Sequence, residues 1–377
     1  MKNLKNQYPV ILFCILYLIC IPFYLYQAGS DTVSYIAIAE NYLDGNLPAA
    51  INGYWSPLFS FMLIPFIYFH INVFLGIKII SLVFSLLLFY SFKKLGNLFL
   101  LKDKDMMVAT YFLVPLLLWR SFSNTCPDLM ATSILLFFLT KLFKTRYTLS
   151  DYILIPLLGL TCYLAKYYNI YFIIMALVMR AIFIKNEFRL KELVISLGLF
   201  MLVCGLWMAC LYSKYQKFTP TTATAFNLFI NGPQFQEEFK QIQAVIGGLP
   251  EIRKNTAERG NVLDYLDYST YRYTSWEDPS YYRGTWNPFN SLADIKFYIT
   301  NLIFINFTQL AYMLMGYILA IIALLILYKK KLIAICNQKI WFVFVLAILY
   351  PAGYILTHFE SRYVLFSEIL LVFLLMF

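Results

Sequence analysis

The chain has 377 residues, of which 61% are hydrophobic and only 13% are charged, yet its formal net charge is +10. A soluble domain of this length would be roughly a quarter charged and about half apolar, so an ordinary water-soluble globule is excluded. The composition favours a membrane protein, in which a surplus of Lys and Arg first reports loop orientation and nucleic acid is not an expected partner.

Long apolar runs predict an all-α polytopic membrane protein. A spanning helix needs roughly 20 mostly apolar residues. The first run, Tyr8 to Gln27, follows Lys2 and Lys5 and lacks a small-residue cleavage site, so we expect a retained helix rather than a signal peptide. Further runs bring the prediction to about ten transmembrane helices. They lie at 73–92, 106–120, 129–145, 150–166, 167–184, 193–213, 308–328, 338–357 and 363–377.

The first outer loop, 28–72, is too long and too patterned for a simple connection. Asp31 to Leu43 places most apolar residues on one helical face, with Ser34 and Asn41 elsewhere, which predicts an amphipathic helix at the membrane interface. Pro57 to Phe69 is apolar but short for a span. If it does not cross, the later Lys and Arg clusters all face the cytoplasm, so we predict an interfacial or re-entrant helix.

Three regions follow from this topology. Residues 1–213 form an N-terminal transmembrane core, 214–297 an extracytoplasmic loop region, and 298–377 the C-terminal transmembrane helices. The loop region is Tyr-rich, with turn signals at Asn231-Gly232-Pro233, Gly247-Gly248 and Asp278-Pro279. The stretch Ser291 to Gln309 is a candidate for another interfacial helix. The chain ends inside its last apolar run, which leaves a further C-terminal region open.

Several ionisable residues fall at the outer ends of the predicted helices, on one side of the membrane. Charges near membrane depth are costly, so each needs a partner or a function. They are Asp31, Arg120, Asp128, Lys166, His358, Glu360 and Arg362. Asp31 is either a helix cap or a general base, and Asp128, after Pro127, is either a helix start or a second site residue.

The cations have two interpretations each. Lys166 lies outside, against the positive-inside trend, so it has either an anionic partner or a snorkelling role. Arg362 suits phosphate recognition through its donor fork, and the alternative is an ion pair with Glu360 or an interfacial anchor with Tyr363. His70 and His358 are interpreted as structural.

The first outer loop resembles that of GT-C-fold glycosyltransferases, of the protein-mannosyltransferase and lipid A aminoarabinose-transferase type. Three later stretches are similar in kind and order to features of that family. The matching segments are Asp31 to Gly45, Gly53-Tyr-Trp-Ser-Pro57, Cys126-Pro-Asp128-Leu-Met, Leu160 to Lys166 and Glu360-Ser-Arg362-Tyr363. The match covers roughly 8–213 and 300–377.

The resemblance implies an inverting enzyme that moves a sugar from a polyprenyl-phosphate donor to a hydroxyl acceptor on the extracytoplasmic face. The high usage of Lys, Asn, Ile, Phe and Tyr is compatible with a bacterial source, so the expected location is a bacterial inner membrane. Asp31 would be the catalytic base, with Asp128 a second acidic residue of the site. Lys166 and Arg362 would hold the donor phosphate. Further expected substrate contacts are Tyr35, Arg120, Glu360 and Tyr363. The acceptor, a glycan, lipid or protein, stays open.

One residue departs from the resembled family. The aminoarabinose-transferase type has Lys before the proline that is here Pro57, whereas this chain has Ser56. No cofactor is expected, and a divalent metal is not favoured because two carboxylates alone make a weak site. Competing hypotheses are a transporter or flippase of a lipid-linked substrate, a structural membrane partner, and a glycan polymerase or ligase of different fold.

Overall fold

The computed structural model describes residues 7–123, 127–186, 188–233, 286–327 and 338–377. Throughout these ranges the secondary structure is helical, without strands, as the sequence predicts. Five helices in this part of the chain are long and apolar enough to cross a membrane, which supports an integral membrane protein. They are Val73–Leu98, Asp103–Ser123, Arg189–Tyr215, Leu292–Ala323 and Gln338–Ile355.

Every predicted apolar run coincides with a helix, though several are shorter than a full span. In chain order the helices are α1 (Tyr8–Tyr24), α2 (Ser30–Leu43), α3 (Leu47–Ala50), α4 (Pro57–Tyr68), α5 (Val73–Leu98), α6 (Asp103–Ser123), α7 (Asp128–Leu142), α8 (Leu149–Ala165), α9 (Asn169–Phe183), α10 (Arg189–Tyr215), α11 (Ala223–Ile230), α12 (Leu292–Phe297), α13 (Phe304–Leu327), α14 (Gln338–Ile355) and α15 (Leu365–Leu374). A π-helical turn, Tyr298–Ile303, joins α12 to α13, and a 3-10 turn, Ser361–Val364, precedes α15.

Local signals explain where these helices begin and end. The Asn72 side chain accepts hydrogen bonds from the backbone of Phe74 and Leu75 and so caps α5. Thr148 and Asp151 form a capping box at the start of α8. Gln216 adopts a left-handed conformation, φ 55°, and ends α10. Short connections between such caps make successive helices antiparallel, so alternate helix ends meet on one side.

A single large apolar core joins most of the helices. Its centre is α7, whose residues are buried on nearly every face, with α5 and α8 packed against it. α1 packs on α6, and α14 on α15. Asp128 therefore begins a helix that is buried along most of its length, so its carboxylate is held close to the core.

The predicted helix after Asp31 is present as α2, but of its polar residues Asp31, Ser34, Asn41 and Asp44 only the two at its ends, Asp31 and Asp44, are accessible. Ser34 and Asn41 are buried along with the apolar residues, and Asn41 Nδ2 donates to the Ala37 carbonyl at 3.0 Å. Packing of α4 against α2 encloses it, and Ser60 Oγ donates to the Tyr35 carbonyl at 2.8 Å. The first outer loop is thus folded into the bundle.

The predicted interfacial helix at Ser291 to Gln309 is also different. The helical run from Leu292 continues through the π-helical turn into α13 without a break. The interpretation of Ser291 to Gln309 as a separate element is therefore wrong. In the loop region, α11 and the turn after it at Asn231 are described. The turn signals at Gly247-Gly248 and Asp278-Pro279 lie outside the described residues.

Candidate active site

Four chain segments meet at one end of the bundle, each through a helix terminus. Asp31 lies in the first turn of α2, Asp128 begins α7, Lys166 follows α8 directly, and Arg362 lies in the 3-10 turn before α15. All four side chains line one cleft of about 110 Å³. Residues that the sequence singled out in four separate segments thus share a single cavity.

Ion pairs link the four charges in a row. Arg362 Nη2 lies 2.6 Å from Asp31 Oδ2, and Arg362 Nε lies 3.7 Å from Asp128 Oδ2. The other Asp128 oxygen, Oδ1, pairs with Lys166 Nζ. Lys166 therefore has the anionic partner that its position outside suggested. Asp128 bridges the two cations, and Arg362 bridges the two aspartates.

Glu360 supports this row from behind, and the cavity wall does not include it. Its carboxylate lies 2.8 Å from Arg362 Nε and accepts hydrogen bonds from Arg362 Nη2 at 3.0 Å and the Tyr363 hydroxyl at 3.1 Å. His358 Nε2 lies 3.2 Å away. Burial opposes ionisation, but His358 and Arg362 outweigh it and hold the pKa of Glu360 at about 2. The prediction of Glu360 as a substrate contact is replaced by a position behind Arg362.

Lys166 is held by aromatic rings as well as by Asp128. Its Nζ lies 3.8 Å from the centroid of the Tyr363 ring and 5.1 Å from that of Tyr354. Tyr354 stacks on Tyr363 at 4.3 Å and on Tyr168 at 3.9 Å. Cation–π attraction over this stack restricts the amine to the cavity wall. Tyr363 thus lines the cavity as expected and also orients Lys166.

The charge balance of the cluster is informative. Asp31, Asp128 and Glu360 present three carboxylates to the two cations Lys166 and Arg362. The Arg362 nitrogens that form these ion pairs all face a carboxylate. An incoming anion must therefore compete with Asp31 or Glu360 for the guanidinium. Binding of an anionic group is therefore coupled to release of a carboxylate.

The opposite wall is polar but uncharged. Thr221, Thr224 and Asn227 line it from α11 and the segment before it, and Tyr54 joins them from the first outer loop. The two parts are tied together because Thr222 N and Thr221 Oγ1 both donate to the Gly53 carbonyl at 2.9 Å. Hydroxyl and amide groups on this side suit a neutral, hydroxyl-bearing substrate.

Tyr35 and Ser56 also line the cleft. The Tyr35 ring packs edge-on against Phe59 and is almost fully buried, which places it in the wall as expected. Ser56, at the position where the resembled type has Lys, accepts a hydrogen bond from Tyr167 N at 2.9 Å. Its hydroxyl therefore fixes the chain after α8, and it brings no positive charge to the cavity.

Arg120, predicted as a substrate contact, does not line this cleft. Its side chain is only 2% exposed and pairs with Glu368 of α15 at 3.0 Å. This pairing could not be predicted from local sequence, because Glu368 lies far along the chain from Arg120, inside an apolar run. A buried arginine that forms an ion pair with a carboxylate needs no ligand to balance its charge.

The sequence reasoning also missed site residues. His358, predicted to be structural, does not line the cavity and contacts Glu360 behind the row at 3.2 Å. Thr224 and Asn227 enter the cavity through tertiary packing of α11, for which no local pattern exists. Among the described residues, no group of three or more His, Cys, Asp or Glu is arranged to hold a metal ion.

No protein-family model, curated protein or solved structure matches the chain. Inference of its function therefore depends on the site itself.

Proposed function

We propose that the protein is an integral membrane glycosyltransferase of GT-C-like fold. It moves a sugar from a polyprenyl-phosphate donor to a hydroxyl acceptor on the extracytoplasmic face. The observation that carries the proposal is the row Asp31, Arg362, Asp128 and Lys166 in one cleft. It supplies a candidate base and two candidate phosphate-binding cations within ion-pair distance of one another.

The transfer step assigns a role to each charge. The acceptor oxygen attacks the anomeric carbon, its proton passes to the Asp31 carboxylate, and the bond from the anomeric carbon to the phosphate oxygen breaks. The electron pair stays on the departing polyprenyl phosphate, which gains a negative charge. Arg362 and Lys166 stabilise that charge as it develops. Asp128 keeps both cations close together.

Occupation of Arg362 by Asp31 fits an ordered reaction. The Arg362 guanidinium occupies Asp31 Oδ2, so an acceptor hydroxyl must displace it to reach that oxygen. When the donor phosphate takes up Arg362, Asp31 is released toward the acceptor. Donor binding would therefore prepare the base, and the acceptor would be activated only in the presence of donor.

The orientation of the bundle supports an outer site. Two ion pairs, Lys144–Asp151 and Arg180–Glu192, lie at the end of the helices away from the cleft. Lys and Arg cluster in those connections, which the positive-inside tendency places in the cytoplasm. In a bundle of about ten spans, the polyprenyl tail of the donor can remain among the lipid chains. Its phosphate can then reach the cleft at the extracytoplasmic surface.

The transporter alternative calls for ionisable groups near mid-membrane, at helix interruptions. The charges of the cleft lie at helix termini, and Glu368 inside α15 is paired with Arg120. These positions favour chemistry at the membrane surface over passage through the bundle.

The direct experiment incubates the purified protein with a panel of polyprenyl-phosphate sugars and follows release of polyprenyl phosphate by mass spectrometry. One donor is expected to be consumed when a hydroxyl acceptor is present. Asp44, exposed at the other end of α2, provides a matched carboxylate for control substitutions. Transport of intact donor across vesicles without cleavage of any panel member would contradict the proposal.

A further inference from the structure

The buried pair Arg120–Glu368 adjoins the candidate active site without entering it. Arg120 Nη2 lies 3.0 Å from Glu368 Oε2, and their side chains are 2% and 8% exposed. The pair joins the last turn of α6 to the first turn of α15. A second buried pair of the same type, Arg180–Glu192 at 2.6 Å, lies at the far end of the bundle and offers a direct comparison.

The two arginines differ in how well they are satisfied. Arg180 donates through Nε to the Leu142 carbonyl and through Nη2 to the Lys144 carbonyl, both at 2.9 Å. Arg120 Nε and Nη1 have no hydrogen-bond partner in the described part of the chain. A buried guanidinium with unused donors is costly. The Arg120 guanidinium also lies 4.4 Å from the centroid of the Trp119 ring, which offsets part of this cost but leaves both donors unused. Arg120 is therefore less completely satisfied than Arg180.

The remaining contact of Arg120 leads to the site. Its Nη2 also donates to the carbonyl of Ser361 at 3.2 Å. Ser361 immediately precedes Arg362 and begins the 3-10 turn, in which Tyr363 N donates to the Glu360 carbonyl at 3.0 Å. One nitrogen thus connects the carboxylate of α15 with the peptide group that leads into Arg362.

We propose that Arg120 and Glu368 are positioning residues that fix the 3-10 turn so that Arg362 reaches Asp31 and Asp128 together. The part of this inference that concerns donor phosphate rests on the proposed function. The carbonyl of Ser361 defines the peptide plane between residues 361 and 362. Holding that plane fixes the direction in which the Arg362 side chain leaves the backbone.

A small displacement of the 3-10 turn would disturb several contacts of Arg362 at once. Arg362 must satisfy Asp31 at 2.6 Å, Glu360 at 2.8 Å and Asp128 at 3.7 Å from one guanidinium. A displacement of about 1 Å at such a site is enough to impair a reaction strongly. Within the turn, Tyr363 N donates to the Glu360 carbonyl. The Ser361 side chain is exposed, so its packing contributes little to holding the turn in place.

The first test needs no substrate. Hydrogen exchange is followed by mass spectrometry on peptides covering residues 358–365 and 142–152 in the full-length protein in detergent. Arg120→Met is expected to speed exchange of the turn by about tenfold, while the far peptide is unchanged. Arg180→Met should give the reverse pattern. Glu368→Gln, which keeps an acceptor, should give a smaller change in the turn and serves if Arg120→Met does not fold.

The second test measures whether Arg120 acts through Arg362. Arg120→Met should raise the donor KM by about tenfold, whereas Arg180→Met leaves it unchanged. In an Arg362→Ala background, Arg120→Met should have no further effect, because the group that it positions is gone. Additive effects in this cycle, or equal exchange in both peptides, would overturn the proposal. If no donor is consumed by the unmodified protein, the proposed function fails while the exchange result still decides the positioning role.

Discussion

The guanidinium of Arg362 lies 2.6 Å from the carboxylate of Asp31, although the two residues come from opposite ends of the chain. This contact joins the candidate base to the candidate phosphate-binding group. The two roles are therefore coupled before any substrate arrives. A phosphate that binds Arg362 changes the environment of Asp31 in the same event.

Removal of Arg362 should weaken donor binding most. Arg362→Ala takes away the guanidinium that reaches Asp31, Asp128 and Glu360, and a charge-assisted contact to phosphate is lost with it. We expect the donor KM to rise by about tenfold to a hundredfold. Titration of the labelled donor in detergent measures the change, with the exposed Arg146→Ala as the control. An unchanged affinity would assign Arg362 to a structural ion pair with Glu360.

Substitutions in the Lys166–Asp128 pair distinguish an effect on stability from an effect on activity. Asp128→Asn leaves Lys166 without its carboxylate in a largely buried place, so the free energy of unfolding should fall by about 3 kcal/mol. The double variant Asp128→Leu with Lys166→Met removes both charges and should recover much of that loss. Denaturant unfolding and donor turnover are measured on the same samples. Turnover that returns together with stability would show that neither charge takes part in the reaction.

The pH dependence of stability isolates Glu360. Because His358 and Arg362 outweigh the effect of burial, its pKa lies at about 2 instead of the usual 4.5. A lowered pKa stabilises the fold above the unfolded value, and this contribution is lost as the pH falls from about 4.5 toward 2. Glu360→Gln lacks the contribution, so its deficit against the unmodified protein should be constant above about pH 5 and shrink below pH 4.5.

Thermal midpoints of the two proteins between pH 7 and pH 3 measure this difference. Ionisable groups that do not contact Glu360 contribute equally in both proteins and cancel. A deficit that begins to shrink near pH 6, or that is undiminished at pH 3, would contradict the assigned ion pairs.

Gly53 should be intolerant of a side chain. A Cβ at this position would lie 2.7 Å from Thr222 Cγ2 and 3.1 Å from the Tyr215 ring. Gly53→Ala should push the segment before α11 off the first outer loop, at a cost of about 1 to 3 kcal/mol, and disturb the neutral wall. Acceptor KM is expected to rise more than donor KM. Gly205→Ala, which meets open space within α10, is the control. Equal effects of the two substitutions on acceptor KM would contradict the assignment of that wall.

Much of the fold was predictable because the signals are local. Apolar runs mark the helices, and caps such as Asn72 and Thr148 mark their ends. The site followed from the same pattern: antiparallel helices bring alternate ends to one surface, so Asp31, Asp128 and Lys166 could be placed together from their positions at predicted helix ends.

What the sequence did not indicate depends on distant partners. Arg120 has the same local context whether it faces a ligand or Glu368, and only packing of α15 decides between them. The polar face of α2 looked exposed because nothing local shows that α4 covers it. Thr224 and Asn227 reach the cleft only through docking of α11 on the first outer loop.

The most direct measurement is a single turnover of bound donor by Asp31→Asn beside Asp44→Asn, with donor affinity determined for both. Loss of a general base should slow sugar transfer by roughly a hundredfold or more, while donor affinity is retained or increased, because the substitution removes a charge that competes for Arg362, and Asp44→Asn transfers at the unmodified rate. Transfer by Asp31→Asn at a rate close to that of the unmodified protein would contradict the assignment of Asp31 as the catalytic base.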